Sequence, residues 1–311
     1  MSLTGRLQSN VDERLTQDQR ILVESYARRL KWAARQYASN RLAVIALVVV
    51  VATMIMAIFA PYIAPYDPFA IVQNQNGDYL LLEPPSSNHV MGTTTESRDI
   101  FSQWVYGSRV SLLVAFLSGA AVMTIGSTVG LVSGYYKGAI DLVLMRIVDV
   151  LYAIPAIPVL LVVAMLFGSS VWNVIIAMVL ILWRTMARIV RSQTLSLSER
   201  PFVKAARASG ASDLRIIYVH IAPNILPIIL MEGVFVMGAA IILEAGISFL
   251  GLGATNMISW GVMLQLTFSS GAITHAWWWV LPPGLSITIL VVSFFYISRG
   301  LEEITNPELH Q

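Results

Sequence analysis

Apolar runs long enough to cross a bilayer, separated by short polar segments, organise this chain. Leu42 to Ala60 carries no charge; it opens after Arg41 and ends at Pro61. Val110 to Val132 is a second such run. Leu142 to Leu166 is a third, interrupted by Arg146, Asp149, Pro155 and Pro158. A fourth starts at Val171, after the Gly168-Ser169-Ser170 turn, and its apolar part reaches about Trp183. Ile225 to Phe249 is the fifth and carries Glu232 and Glu244; Trp277 to Ser298 is the sixth and stops at Arg299. A hydrocarbon core of about 30 Å needs roughly 20 residues of helix. The pattern predicts an all-α polytopic membrane protein with six transmembrane helices.

Composition agrees. Of 311 residues, 56% are apolar and 12% charged, with a mean hydropathy of +0.70, whereas a soluble domain is about half apolar and a quarter charged. The first forty residues are polar, which argues against a cleavable signal peptide and keeps Leu42–Ala60 as an anchor. Lys and Arg favour the cytoplasmic side of short loops. Residues 1–41 hold eight of them and 184–224 hold seven, whereas 61–107 holds one, Arg98, and 250–276 holds none. Both termini and the 184–224 loop are therefore expected inside. The organisation that follows is a cytoplasmic leader 1–41, a first helix 42–60, an extracytoplasmic loop 61–107, a five-helix core 108–298 and a cytoplasmic tail 299–311.

Local patterns refine this. Gly126, Gly130 and Gly134 repeat every fourth residue on one helix face, a spacing that lets two backbones approach closely. Leader residues 11–41 read as an amphipathic helix, with Leu22, Tyr26, Leu30 and Ala34 on one side and Arg28, Arg29, Lys31 and Arg35 beside them. Such a segment suits an anionic lipid surface better than nucleic acid or a calmodulin-like partner. The 61–107 loop, rich in Pro, Asn, Thr and Ser, reads as a small outer cap. Arg146 and Asp149, three apart on the third helix, are expected to pair with each other. Glu244 and Glu232 lack an obvious partner and stand as either packing or gate residues, because intramembrane charges are costly and often functional.

The 184–224 loop is the most informative stretch. Phe202 to Ser209 favours a helix, Gly210 supplies a left-handed ending, and a second short helix from about Ser212 to His220 would run up to Pro223. Two helices joined at a glycine make a rigid knob suited to a groove in another protein.

Here the chain resembles the permease subunits of binding-protein-dependent ABC importers. Their Glu-Ala-Ala, three residues, Gly, nine residues, Ile-x-Leu-Pro pattern falls on Lys204-Ala205-Ala206, Gly210 and His220-Ile221-Ala222-Pro223, with both Ala, the Gly and the Pro matched. Met91–Ser102 resembles the Gly-Thr-Asp…Gly-Arg-Asp…Ser segment of the dipeptide/oligopeptide/nickel branch, with Thr94 and Ser97 where Asp and Gly are usual. Tyr106–Leu112, Glu244–Gly253, Trp260–Leu264, and Trp277-Trp278 before Pro282-Pro283-Gly284 follow at that branch's spacing. Ser298–Glu303 replaces its Gly-Asp-Gly-Leu-Arg-Asp ending. The resemblance spans about residues 40–307 and points to the second, C-type permease of the pair.

It implies the type I importer permease fold in the cell membrane. It also implies a homologous second permease, two ATP-binding subunits that carry ATP and Mg, and an extracytoplasmic substrate-binding protein. The residues implied to couple to the ATPase are Lys204, Ala205, Ala206, Arg207, Gly210, Asp213, His220 and Pro223. The chain itself is expected to be no enzyme and to hold no cofactor. The dipeptide Gly-Lys of a phosphate-cradling Gly-x4-Gly-Lys-Ser/Thr loop never occurs. His89, His220, His275 and His310 show no metal-ligand spacing. With no cysteine, a disulfide scaffold and a thiolate site are excluded. Di- or oligopeptide is the expected cargo, with nickel, glutathione or sugars as alternatives. A channel, or an ion-coupled carrier using Asp149, Glu232 and Glu244, is the rival class; both leave the knob unexplained.

Overall fold

The computed structural model describes residues 31, 32, 34–254 and 256–305. The expected leader helix lies mostly outside the described residues, as does the end of the tail.

Helix α1, Arg41–Ile58, begins where the Asn40 side chain accepts the Ala43 N–H at 3.1 Å, satisfying an otherwise orphaned donor. Its buried stripe is Ala43, Ala46, Val50 and Ala57; the remaining apolar residues, such as Val48, face outward. Helix α2 runs Ile100–Tyr136, 37 residues or roughly 55 Å. It starts ten residues ahead of the apolar run at Val110. The early residues Ser102, Gln103 and Ser108 are polar but fully buried, which a search for apolar windows passes over.

The third apolar stretch is divided between helices α3, Gly138–Ala153, and α4, Ala156–Phe167, which meet at a bend of 85°. Pro155 lacks an N–H and pushes the preceding residue out of the α region; Ile154 is accordingly extended, at φ −93° and ψ 123°. Helix α5, Val171–Ser198, carries the fourth span well past Trp183. It lies along α2, and the three glycines set the distance. A Cβ would fall 2.6 Å from Met186 Cβ at Gly126, 2.7 Å from Val190 Cβ at Gly130 and 2.6 Å from Thr194 Cβ at Gly134. The expected close approach of backbones is present.

The short α6, Pro201–Ala208, leads into α7, a continuous helix over Asp213–Leu252. This corrects the expectation of a separate second knob helix ending at Pro223. Residues Ile216–Ile221 are wound as π-helix, and the Ala222 N–H reaches back five residues to Ile217 O. Widening the turn there removes the clash and the missing bond that Pro223 would otherwise bring. The helix turns off at Gly251, φ +83°. Helix α8, Trp260–Ser269, then folds back between the spans, and α9, Trp277–Thr305, is the last. Trp260 is fully buried, donates to Trp104 O at 2.9 Å and rests on Gly107.

Among the described residues five single helices are long and apolar enough to cross a membrane, or six when the bent α3–α4 pair is counted as one span. The bundle has two ends. One carries α6 and the start of α7; the other carries α8 and the cap 64–99. Among the described residues the cap contains no strand, only isolated bridges Gln73–Tyr79 and Thr93–Asp99. Asp99 anchors it: one oxygen lies 2.9 Å from His89 Nδ1, and the other accepts from Ser102 N and Oγ while capping α2.

Candidate functional site

The knob is built from short-range rules. Arg200 is extended, Pro201 opens α6, where its missing N–H costs nothing. At the other end Gly210 takes φ +82°. Its N–H donates to Arg207 O at 3.0 Å, and the Ala211 N–H donates to Ala206 O at 3.1 Å. This is the paired ending in which a left-handed residue satisfies the last carbonyls. Ser212 then caps the start of α7. Val203 is fully buried against the α7 residues Ile216 and Ile217, so the root of the knob belongs to the bundle core. Phe202, Lys204, Ala205 and Leu214 remain exposed.

Polar contacts fasten the knob to the ends of α2 and α5. Glu199 accepts from Lys137 Nζ at 2.5 Å and pairs with Lys204 Nζ at 3.2 Å. The Lys137 ammonium, and then that of Lys204, hold the Glu199 carboxyl below the usual carboxylate range. The Tyr135 hydroxyl donates to Asp213 at 2.6 Å, and the Arg207 guanidinium lies 5.4 Å from the Tyr135 ring centre. Nearby, Arg191 grips both oxygens of Asp141 at 2.5 and 2.6 Å, the two-pronged geometry in which such pairs are strongest.

Of the residues expected to couple, the structure brings Lys204, Ala205, Ala206, Arg207, Gly210 and Asp213 together at the knob. His220 and Pro223 lie two to three turns along α7; the His220 carbonyl accepts from Asn224 Nδ2 at 2.6 Å. Glu199, Lys137 and Tyr135 were not singled out from the sequence. Glu199 and Asp213 stand 62 and 78 residues from their partners, and only Glu199, one residue before Arg200-Pro201, left a local trace.

The intramembrane polar residues fall differently from expectation. Arg146 and Asp149 do not pair. Asp149 binds Arg188 of α5 at 2.5 Å, and Tyr152, one turn on, lies under both Arg188 and Arg184 at 4.0 and 4.6 Å. A partner on a facing helix, clamped by an aromatic ring, outcompetes a weak contact three residues along. Arg146 remains exposed on α3. Glu232 is half-buried on α7. Glu244 is buried and accepts from Ser248 Oγ at 2.7 Å, one turn along its own helix. Among the described residues its other oxygen has no hydrogen-bond partner, and the side chain borders a cavity of about 10 Å³ shared with Ser248 and Ser259, the scale of one water. Among the described residues no three His, Asp or Glu converge as a metal site.

Residues 126–311 match the family described as the binding-protein-dependent transport system inner membrane component, and residues 29–85 match the N-terminal TM domain of oligopeptide transport permease C. A dipeptide transport system permease protein of Alkalihalophilus pseudofirmus is 37% identical over 89% of each chain. An oligopeptide transport system permease protein of Bacillus subtilis is 34% identical over 90% of each. A glutathione transport system permease protein of Pectobacterium atrosepticum is 36% identical over 88% of this chain and 90% of its own. With the bundle of spans and these matches together, the chain belongs to the family of binding-protein-dependent transport system inner membrane components, as a multi-pass membrane subunit.

Proposed function

We propose that this chain is the C-type permease of an ATP-driven di- or oligopeptide importer. In this reading it forms half of the translocation path beside a homologous second permease. Two cytoplasmic subunits hold ATP and Mg, and a substrate-binding protein docks outside on the cap and the α8 region. Both termini and the knob lie in the cytoplasm, consistent with seven basic residues against two acidic ones in 184–224.

The observation that carries the reading is the knob itself. Its outer face, Phe202, Lys204, Ala205 and Leu214, is exposed, while its root at Val203 is fully buried. Its second arm is the start of α7, a helix of 40 residues and roughly 60 Å. A push on α6 by a closing ATPase pair is therefore delivered along one continuous helix to Glu244 and Gly251 at the far end. That coupling would convert ATP binding into alternating access. Peptide cargo is supported by the dipeptide and oligopeptide relatives. A second cargo, glutathione, is favoured by the relative of that name, and it too is a peptide. Nickel and sugars remain the other cargo classes that the branch offers.

Capture in mild detergent through a tag after Gln311, followed by mass spectrometry of proteins and small molecules, tests this. We expect two ATPase subunits, a second permease and a loaded binding protein. Recovery of the chain alone, from membranes in which it supports uptake, would contradict the proposal in favour of a channel or carrier.

A further inference from the structure

The cap end holds a pocket that the coupling device does not use. A cavity of about 350 Å³ opens between Phe69 of the cap, the outer turns of α2 and the segment at Asn256–Met257. That volume falls near the lower end of small-molecule sites, about 300–1,000 Å³. Phe69, Val110, Leu113 and Met257 give it apolar walls; Arg109 and Asn256 are the cation and the amide that line it. Arg109 stands immediately before the charge-free run that opens at Val110. Its guanidinium lies 5.7 Å from the Tyr106 ring centre, and among the described residues no carboxylate comes within ion-pair distance of it. Arg98, Arg188, Arg191 and Arg299 each have an acid within 3.1 Å; Arg109, like Arg146 and Arg184, has none among the described residues.

An exposed arginine beside an aromatic ring, with its forked N–H groups left over, is suited to a planar oxyanion. The apolar walls would take the hydrocarbon next to that anion. Val110 and Met257 also line the Glu244 cavity behind them, and at about 10 Å³ that space is closed to anything larger than water. The pocket ends at that wall.

We infer that this pocket receives the C-terminal carboxylate of a peptide cargo on Arg109, with Asn256 as the second polar contact and Phe69, Leu113 and Met257 against the last side chain. The inference rests on the importer reading and names the cargo end group recognised at the cap mouth.

The test uses the complete importer with its binding protein in proteoliposomes. A mixed dipeptide library and the same library amidated at its C-terminus are offered, and uptake is read by mass spectrometry. Because wild type and variant share one binding protein, the acid-to-amide uptake ratio isolates what the permease contributes, in the manner of a double-mutant cycle. Arg109→Gln should lower that ratio about tenfold or more, as expected for losing a charged hydrogen bond. Arg109→Lys, which keeps the charge without the fork, should fall between. Size-exclusion of the assembled complex separates this from misfolding. An unchanged ratio in Arg109→Gln overturns the inference. So does a loss that follows the phosphatidylglycerol content of the vesicles regardless of end group, which makes Arg109 a lipid anchor. ATP-dependent uptake of a non-peptide alone would leave the importer reading standing and remove this one; absence of any ATP-dependent uptake by wild type would remove both.

Discussion

Glycine is required at two places in this chain for opposite reasons. Along the α2–α5 seam, Gly126, Gly130 and Gly134 have no space for another atom, because the neighbouring backbone and Cβ atoms already stand where a side chain would begin. At the knob, Gly210 has nothing among the described residues within 4 Å of a would-be Cβ but sits at φ +82°. The seam needs the absence of a side chain; the knob needs a backbone shape that L-residues adopt only at a cost. A seam held by contact and a knob held by conformation should therefore fail in different ways.

The largest effect is expected at the seam. Gly130→Asn would force a side chain between Ala187 O and Val190 Cβ, both 2.7 Å from the new Cβ. Overpacking of this kind costs about 1–3 kcal/mol, and an amide buried without partners adds a similar amount. Thermal unfolding in detergent should show a clear loss of folded protein, and an unchanged melting point would break the comparison. Next comes Gly210→Val, which should leave the amount of folded protein near wild type but uncouple uptake, through a local cost of roughly 1–2 kcal/mol. Gly210→Asn, which tolerates the left-handed region, should keep most of the uptake. Equal loss in both variants would mean that size rather than conformation matters there.

Smaller effects test how the knob is fastened. Tyr135→Phe removes the hydrogen bond to Asp213, worth about 1 kcal/mol, and should speed hydrogen exchange in α6 and the first turns of α7 while the seam keeps its protection. Uniform exchange across both regions would dissolve the distinction. The smallest effect concerns Glu199, whose carboxyl is held low by Lys137 and Lys204. A depressed folded value means that its contribution is present above the ordinary Glu value of about 4.3 and is lost as pH falls through the lower folded value. Knob protection should hold from neutral to about pH 5 and drop only in stronger acid; Glu199→Gln should remove that acid-dependent part.

How much of this was legible in the sequence follows from what each signal depends on. The spans were, because apolar length is a local property; their ends were not. Ser102, Gln103 and Ser108 extend α2 although polar, since buried neighbours and hydrogen bonds accommodate them. Gly210 was legible because a helix ending in glycine carries its geometry with it. The run of α7 through Pro223 was not, because a π-turn upstream absorbed the proline. Partners for Asp149, Asp213 and Glu199 come from other helices, and no local spacing announces them. The cap shows a subtler case. Ser97, where the branch usually has Gly, keeps φ +57°, and its hydroxyl bonds Val72 O while accepting the Leu80 N–H. Thr94, in place of Asp, still accepts the N–H groups of Glu96 and Arg98, the turn-forming role a short polar side chain supplies. At both positions the side chain present fastens the turn through its own hydrogen bonds.

We propose the knob as the place where this chain meets an ATP-hydrolysing subunit. The absence of cysteine permits a direct measurement: a single Ala205→Cys on the exposed face of α6, labelled with a photo-cross-linker in membranes competent for uptake, against Leu81→Cys on the cap as comparison. An adduct of an ATPase subunit is expected from position 205 and none from position 81. An ATPase adduct from the cap, or none from the knob while uptake persists, would contradict it.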